Sequence, residues 1–417
     1  VPGNVCRIDD FNLSAVFRPS SVTEVGDLVR RAAAEGQAIY PLGGRTMLGL
    51  GLPPTRPGIG IELGDLAQVI DYPARDMTVT VQAGITFAKL QRLLATENQR
   101  LPIDVPRPEE ATLGGALAAN VSGPRRYGSG TLRDYVIGIT TVNDEGQETK
   151  AGGRVVKNVA GYDLCKLHVG ALGTLGIITQ VTLKLRPLPA EKAIVTLGCG
   201  SEALEPLLDQ LHETHTRPGC LDVLNGPAAR IVSREAGVAL PESPWVIVVG
   251  YEDNAEAIRW QMGRLIEELP AGKVIGLEAR AGAATESLWK ALCEFPGRPA
   301  ELSFKANVLP SASAGLCRQL ASWPEELSVH AHAGNGIVRG HLNGPLTLPR
   351  VRAMLEELHE TTAAAQGNVI LTACPPEWKQ SLPVWGRPRS DAWLMRQVKD
   401  KLDPRRLFNP GRYVTGD

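Results

Sequence analysis

Three of the seven histidines of this 417-residue chain fall within twelve positions, in the stretch HAHAGNGIVRGH (330–341). His330 and His332 are i, i+2 neighbours, which on a strand sets both imidazoles on one face. A turn at Gly334–Gly336 would return the chain and bring His341 opposite them. Grouped imidazoles suit a metal ion or general acid–base chemistry. Arg339 stands in the same stretch, and a guanidinium offers donors but no lone pair, so it cannot ligate a metal and repels one. The expectation is that no metal binds and that these histidines are packed or hydrogen-bonded on strands.

Three glycine-rich stretches suggest a second kind of chemistry. PLGGRTMLGLG (41–51) puts Gly43 and Gly44 directly after a strand, where positive φ and a missing Cβ let backbone N–H groups converge on an anion. It lacks the GxGxxG spacing and no helix starts behind it, which argues against a Rossmann dinucleotide site. ATLGGALAANVSGPRRYGSGTLRDYV (111–136) has small residues at Gly114, Gly115, Ala116, Ala118 and Ala119, leaving room for a flat ligand against a helix backbone. Asn120, Ser122, Gly123, Arg126, Tyr127 and Asp134 follow as a polar cluster. The third stretch is VVKNVAGYDLCKLHVGALGTLGIITQVTLKLRPLP (155–189), where Lys157, Asn158 and Asp163 either bind a ligand or pin a loop.

Periodicity indicates the elements that must position these stretches. FRPSSVTEVGDLVRRAAAEG has Ser20, Ser21 and Thr23 as N-cap candidates before Val25, Leu28, Val29 and Ala32, with Gly36 as the stop, and predicts a helix of about three turns. QAIYP and GIGIELGDL read as strands, MTVTVQAG as a half-exposed strand and TFAKLQRLLATEN as a helix. YVIGITTVNDEGQETKAGG reads as a hairpin turning at Glu145-Gly146. All seven tryptophans lie between Trp245 and Trp393, which sets a domain boundary near residue 190. Beyond it, KAIVTLGCG, PWVIVVGYE, AELSFKANVLP, ELSVHAHAG and NVILTACP alternate with helical stretches, predicting helices on an antiparallel sheet. Trp378, Trp385 and Trp393 are expected in the core or at a domain or subunit interface.

Composition narrows the partners. A hydrophobic content of 43%, a charged content of 21% and a net charge of -1 are those of a globular protein without the basic excess that nucleic acid requires. Seven cysteines scattered singly, with no CxxC pair, point to a reducing cytoplasm rather than a disulfide or iron–sulfur framework. No run approaches the roughly 20 apolar residues needed to span a bilayer, so membrane association is expected only through a partner.

In their order and spacing the three glycine-rich stretches resemble the vanillyl-alcohol-oxidase, or PCMH-type, FAD-binding domain. LDPRRLFNPGR (402–412) resembles that family's C-terminal return to the flavin. YPLGGRTML, GYDLCKLHVGALGTLGIIT, CPPEWKQSLPVWGRP and NPGR are similar, within it, to the FAD-binding E subunits of bacterial glycolate oxidases. The resemblance implies an α+β protein: a PCMH-type domain of two α/β subdomains over 1–189, an α+β cap with an antiparallel sheet over 190–389, and a segment 390–417 returning to the first domain.

Carried over by position, Pro41, Leu42, Gly43, Gly44, Arg45, Thr46 and Met47 would wrap the FAD pyrophosphate. Thr112, Leu113, Gly114 and Gly115 would lie along the flavin, with Asn120, Ser122, Gly123 and Tyr127 close by. Gly173, Thr174, Gly176, Ile177 and Ile178 would close over the adenine end, and Asn409 and Arg412 would return from the C terminus. Arg45 stands where relatives carry glycine, or histidine when the flavin is attached; with no histidine or cysteine in that loop, noncovalent FAD is implied. The guanidinium would either stand beside the pyrophosphate or point into solvent.

Catalytic relatives that oxidise 2-hydroxy acids carry HxGDGNLH, whose two histidines bind a divalent metal. Here HAGNGIVR keeps His332, Gly334 and Gly336 but has Arg339 for the second histidine. The resemblance therefore implies a metal-free site marked by His332 and Arg339. It also implies an FAD-binding subunit of a glycolate (2-hydroxy acid) oxidase or dehydrogenase complex, serving electron transfer in glycolate catabolism beside a catalytic flavoprotein subunit and an iron–sulfur subunit. The isolated chain is then expected to oxidise glycolate or lactate negligibly. The competing readings are a self-sufficient FAD-dependent alcohol or 2-hydroxy acid oxidoreductase with His332 or His330 as base, and a non-catalytic scaffold.

Overall fold

Ser21 caps the first helix, Val22–Ala34, by accepting the Glu24 N–H at 3.2 Å. Val25, Val29 and Ala32 repeat at helical spacing and join one buried cluster with Ile39, Ile59 and Ile61. Gly36, at φ +67°, turns the chain into strand Ala38–Leu42. That strand runs parallel to Gly58–Glu62, whose other edge carries Ala15–Phe17. The computed structural model describes residues 6–154, 162–270, 272–414 and 416, so Lys157 and Asn158 lie outside the described residues.

The chain divides into two units. The first holds the chain up to Val121, Thr131–Leu188 and the chain from Pro388 on; the second holds Ser122–Gly130 and Pro189–Arg387. In the first, a five-stranded sheet runs in the order Glu148–Gly152, Val136–Val142, Ile177–Lys184, Thr78–Gln82, Val69–Asp71. The hairpin expected at Glu145-Gly146 is present, with Gly146 at φ +72°. MTVTVQ departs from its expected half-exposure, since all of Thr78–Gln82 is buried. Its polar face is tolerated because hydroxyls satisfy one another, as Thr80 Oγ1 does with Thr182 Oγ1 at 3.0 Å.

The second unit is built on an eight-stranded antiparallel sheet, in the order Leu277–Ala281, Glu191–Cys199, Trp245–Asp253, Cys220–Asn225, Leu327–His332, Ile337–Leu342, Leu302–Asn307, Asn368–Ala373. Helices including Gly226–Ala236 and Ala283–Glu294 bury apolar faces against it. Trp245 is buried there, while Trp378 and Trp385 are half-buried and Trp393 is exposed. Among the described residues, no helix is long and apolar enough to cross a membrane.

The C-terminal segment is bound into the first unit by a buried ion pair. After helix Ala392–Leu402, Leu407–Asn409 docks beside strand Ala38–Leu42, with the Ile39 N–H donating to Leu407 O and the Asn409 N–H to Ile39 O, each at 2.8 Å. Lys399, fully buried, donates to Asp403, to Thr174 O at 2.7 Å and to Phe408 O at 3.0 Å. Asp403 in turn accepts the Leu407 and Phe408 N–H groups at 2.9 and 3.0 Å. Every ionic hydrogen-bonding group here has a partner, which is the condition for burying charge. Lys399→Met strands the Asp403 carboxylate and should cost about 3–5 kcal/mol of stability. A urea midpoint equal to the parent's would refute that assignment.

Candidate functional site: a glycine-rich cradle and a half-buried cationic face

In the first unit, two adjoining hollows share Pro41, Gly43, Thr112, Gly115, Ala118 and Leu172 as walls. One is completed by Leu42, Gly114, Gly173, Gly176 and Ile178, the other by Gly44, Arg45, Thr46, Met47, Asn409 and Arg412. The walls are backbone, small and aliphatic side chains plus Asn409 and two arginines, and among the described lining residues there is no carboxylate. A Cβ added at Gly115 would meet only Thr112 Oγ1, at 3.1 Å, so this glycine leaves space open toward the hollow. Arg412, buried, donates to the carbonyls of Leu48, Leu50 and Leu52 at 2.9, 2.7 and 3.3 Å. It thereby fixes the loop that follows the glycines.

The second unit contains a polar sheet face. Residues paired across an antiparallel ladder share a face: His332 pairs with Asp222, His330 with Arg339, and Arg339 with Lys305. Asp222 accepts from His330 Nε2 at 2.7 Å and His332 Nδ1 at 2.8 Å, and all three side chains are at most 1% exposed. Burial opposes its ionisation, yet the two imidazoles hold its carboxyl below the usual carboxylate range. Burial, against the pull of Asp222, pushes His330 down and keeps it neutral. His330 Nδ1 and His332 Nε2 are left buried without a protein partner.

Beside this triad stand three cations. Burial, followed by the charges of Arg339 and Arg126, pushes the Lys305 ammonium down to about 7. Burial, followed by Arg126, pushes Arg339 down to about 10, and Arg339 Nε is buried without a protein partner. His341 does not complete a three-histidine cluster: its Nδ1 meets Ser303 Oγ at 2.9 Å, and the Phe295 ring packs edge-on against both His341 and His330. Asp222, His330 and His332 have the ligand types and proximity for a metal. Their carboxylate is already bound by both imidazoles, however, and a dication would be added next to three cationic groups, so the face is electrostatically suited to an anion.

Residues 13–152 match the family model described as FAD binding domain. An FAD-binding domain occupies this part of the chain. Its cofactor is FAD and its class that of an FAD-dependent oxidoreductase. It is 26% identical to the glycolate oxidase subunit GlcD of Bacillus subtilis, over 97% of this chain and 89% of that one. It is 38% identical to the glycolate oxidase subunit GlcE of Escherichia coli over 122 residues, 29% of this chain and 35% of that one. The fold matches that of 4-ethylphenol oxidase from Gulosibacter chungangensis, with a TM-score of 0.72 at 14% identity, over 99% of this chain and 90% of that one. This is the PCMH-type architecture with an α+β cap that the sequence led us to expect.

The hollows of the first unit fit FAD in the chemistry of their walls. Fifteen of the residues expected to bind it line them: Pro41 to Met47, Thr112, Gly114, Gly115, Gly173, Gly176, Ile178, Asn409 and Arg412. Leu113 and Ile177 instead point into apolar core, Thr174 is buried with its hydroxyl on Ala171 O, and Asn120 is exposed beside Gly170. Ser122, Gly123 and Tyr127 belong to the second unit. Leu48 and Leu172 are lining residues that motif reading passed over, since nothing in an isolated leucine marks it.

Gly43 and Gly44 are needed for a reason other than positive φ. The left-handed residue of this loop is Arg45, at φ 58°, a conformation that glycine adopts most easily. Arg45 is ion-paired to Glu62. A Cβ at Gly44 would fall 1.7 Å from Glu110 O, and one at Gly43 2.2 Å from Thr112 Oγ1. Gly44→Ala should therefore displace the loop and lose most bound FAD while the chain stays folded, read as the ratio of flavin to protein absorbance. In the parent, acid precipitation should release the flavin to the supernatant, because the described lining residues include no cysteine, histidine or tyrosine to hold it covalently.

Proposed function

We propose that this chain is an FAD-dependent 2-hydroxy-acid oxidoreductase whose second unit binds the substrate without a metal. The observation that supports it is the juxtaposition of a buried, carboxylate-oriented imidazole with a half-buried cation cluster. Lys305, Arg339 and Arg126 supply charge and N–H donors for the carboxylate. Asp222, by accepting from His332 Nδ1, selects the tautomer whose Nε2 lone pair is free to take the hydroxyl proton. FAD, when bound, supplies the acceptor for the hydride from the substrate carbon. Thr112, Gly114, Gly115 and Arg412 are among the residues that would hold it.

A second reading is supported by the 38% identity to GlcE over 122 residues. In it the chain is the FAD-binding E subunit of a glycolate oxidase assembly, passing electrons between a catalytic flavoprotein subunit and an iron–sulfur subunit. Anaerobic mixing with glycolate or D-lactate separates the two. Bleaching of the flavin by the chain alone, insensitive to EDTA and slowed about 10²–10⁴-fold in His332→Ala, is the outcome of the first reading. Absence of bleaching leaves the second.

The lysine gives a pH signature. Only ammonium attracts a carboxylate, and Lys305 loses its proton near pH 7 instead of above 10. Affinity for a 2-hydroxy acid should therefore be highest below neutrality and fall as pH rises through it, with a bound anion moving the midpoint somewhat upward. Lys305→Met should bind weakly at every pH and lose this slope. Arg339→Met should weaken binding roughly 10- to 100-fold.

A further inference from the structure

The segment Ser122–Gly130 follows the helix Leu113–Ala118, whose Gly114, Gly115 and Ala118 line the hollows, and contributes Arg126 and Tyr127 to the second unit. Its only regular structure is a single helical turn, Arg126–Ser129. One turn is too short to be stable alone. Something must hold it.

The hold is made by Arg125. Its Nε donates to Glu252 Oε1 at 2.9 Å, with side chains only 14% and 7% exposed, and its guanidinium lies 4.1 Å from the centre of the Trp289 ring. Such a stacked, ion-paired guanidinium is strongly oriented. Adjacent helical residues point about 100° apart, so with Arg125 gripped on one side, Arg126 is directed elsewhere. Its Nη1 donates to Ser122 Oγ at 3.2 Å, and its charge acts on both Lys305 and Arg339. Two close approaches complete the seat. The Gly128 N–H donates to Gly219 O at 3.1 Å, and the Tyr127 ring lies so near the 333–335 turn that a Cβ on Gly334 would come within 2.4 Å of it.

We infer that Arg125 is a positioning residue: by gripping Glu252 and Trp289 it fixes Ser122–Gly130 so that Arg126 and Tyr127 stand at the anion-binding face. This rests on the reading of that face as a carboxylate site. The groups facing Lys305 are Arg339 on one neighbouring strand, the uncharged Ile370 on the other, and Arg126 from this segment. Withdrawal of Arg126 therefore leaves Lys305 more basic.

The test is calorimetric titration of oxalate into the FAD-loaded full chain, with Arg126→Met setting the scale of the loss. Glu252→Gln and Arg125→Met should weaken oxalate roughly 10- to 100-fold, hold the same FAD per chain as the parent, and move the pH midpoint of binding upward. Trp289→Phe keeps an aromatic face under the guanidinium and should bind within about threefold of the parent. Where Arg125→Met is not recovered folded, Glu252→Gln carries the comparison, since it preserves shape and removes only the charge. Lower melting temperature with an unmoved pH midpoint and parent affinity would overturn the positioning role and leave the anion site intact. Failure of the FAD-loaded parent itself to bind oxalate would overturn the anion site, and this inference with it.

Discussion

Asp222 is a fully buried carboxylate on an interior strand, and such a charge persists only where hydrogen bonds replace its lost hydration. Two imidazole N–H groups do so here, each donating to a different oxygen. Both rings are then committed: their tautomers are set, His330 is held neutral, and the remaining lone pairs point away from the carboxylate. Most of the chemistry available to the second unit follows from this arrangement. It leaves the His332 Nε2 lone pair oriented, as the proposed role as base requires, and engages the carboxylate that a metal would otherwise use.

The cations beside it complete that logic. Arg339 faces His330 across one ladder and Lys305 across the next, and Arg126 adds a third positive group from outside the sheet. Two of the three are pushed below their ordinary ionisation ranges by burial and by one another. A neighbouring anion would relieve this repulsion, which is the electrostatic basis of the carboxylate site proposed above.

The first unit depends on a different constraint, the approach of backbone to backbone. Gly44 lies against Glu110 O and Gly43 against Thr112, leaving no volume for side chains between the loop and the helix start. The C-terminal segment reaches this region because Lys399 and Asp403 neutralise each other inside it, and Arg412 then gathers three carbonyls of the neighbouring loop. The walls of the two hollows thus draw on four widely separated parts of the chain, around residues 41–48, 112–119, 172–178 and 409–412.

What the sequence alone determined is local. The glycine-rich stretches, the helix Val22–Ala34, the hairpin at Gly146 and the shared strand face of His330 and His332 all follow from spacing along a few residues, because backbone periodicity fixes direction over that range. Most of the residues lining the hollows of the first unit were legible for the same reason, with Leu113 and Ile177 instead in the core because a strand alternates its side chains and a helix turns them by about 100° per residue. Only tertiary structure decided that Asp222, in an unremarked CLDVLN, would meet histidines more than a hundred positions away, and that Lys305 would stand across from Arg339. It likewise decided that Ser122–Gly130 would join the second unit. Those outcomes depend on which strands pair and in what register, and a side chain's type carries no record of its partner on another strand.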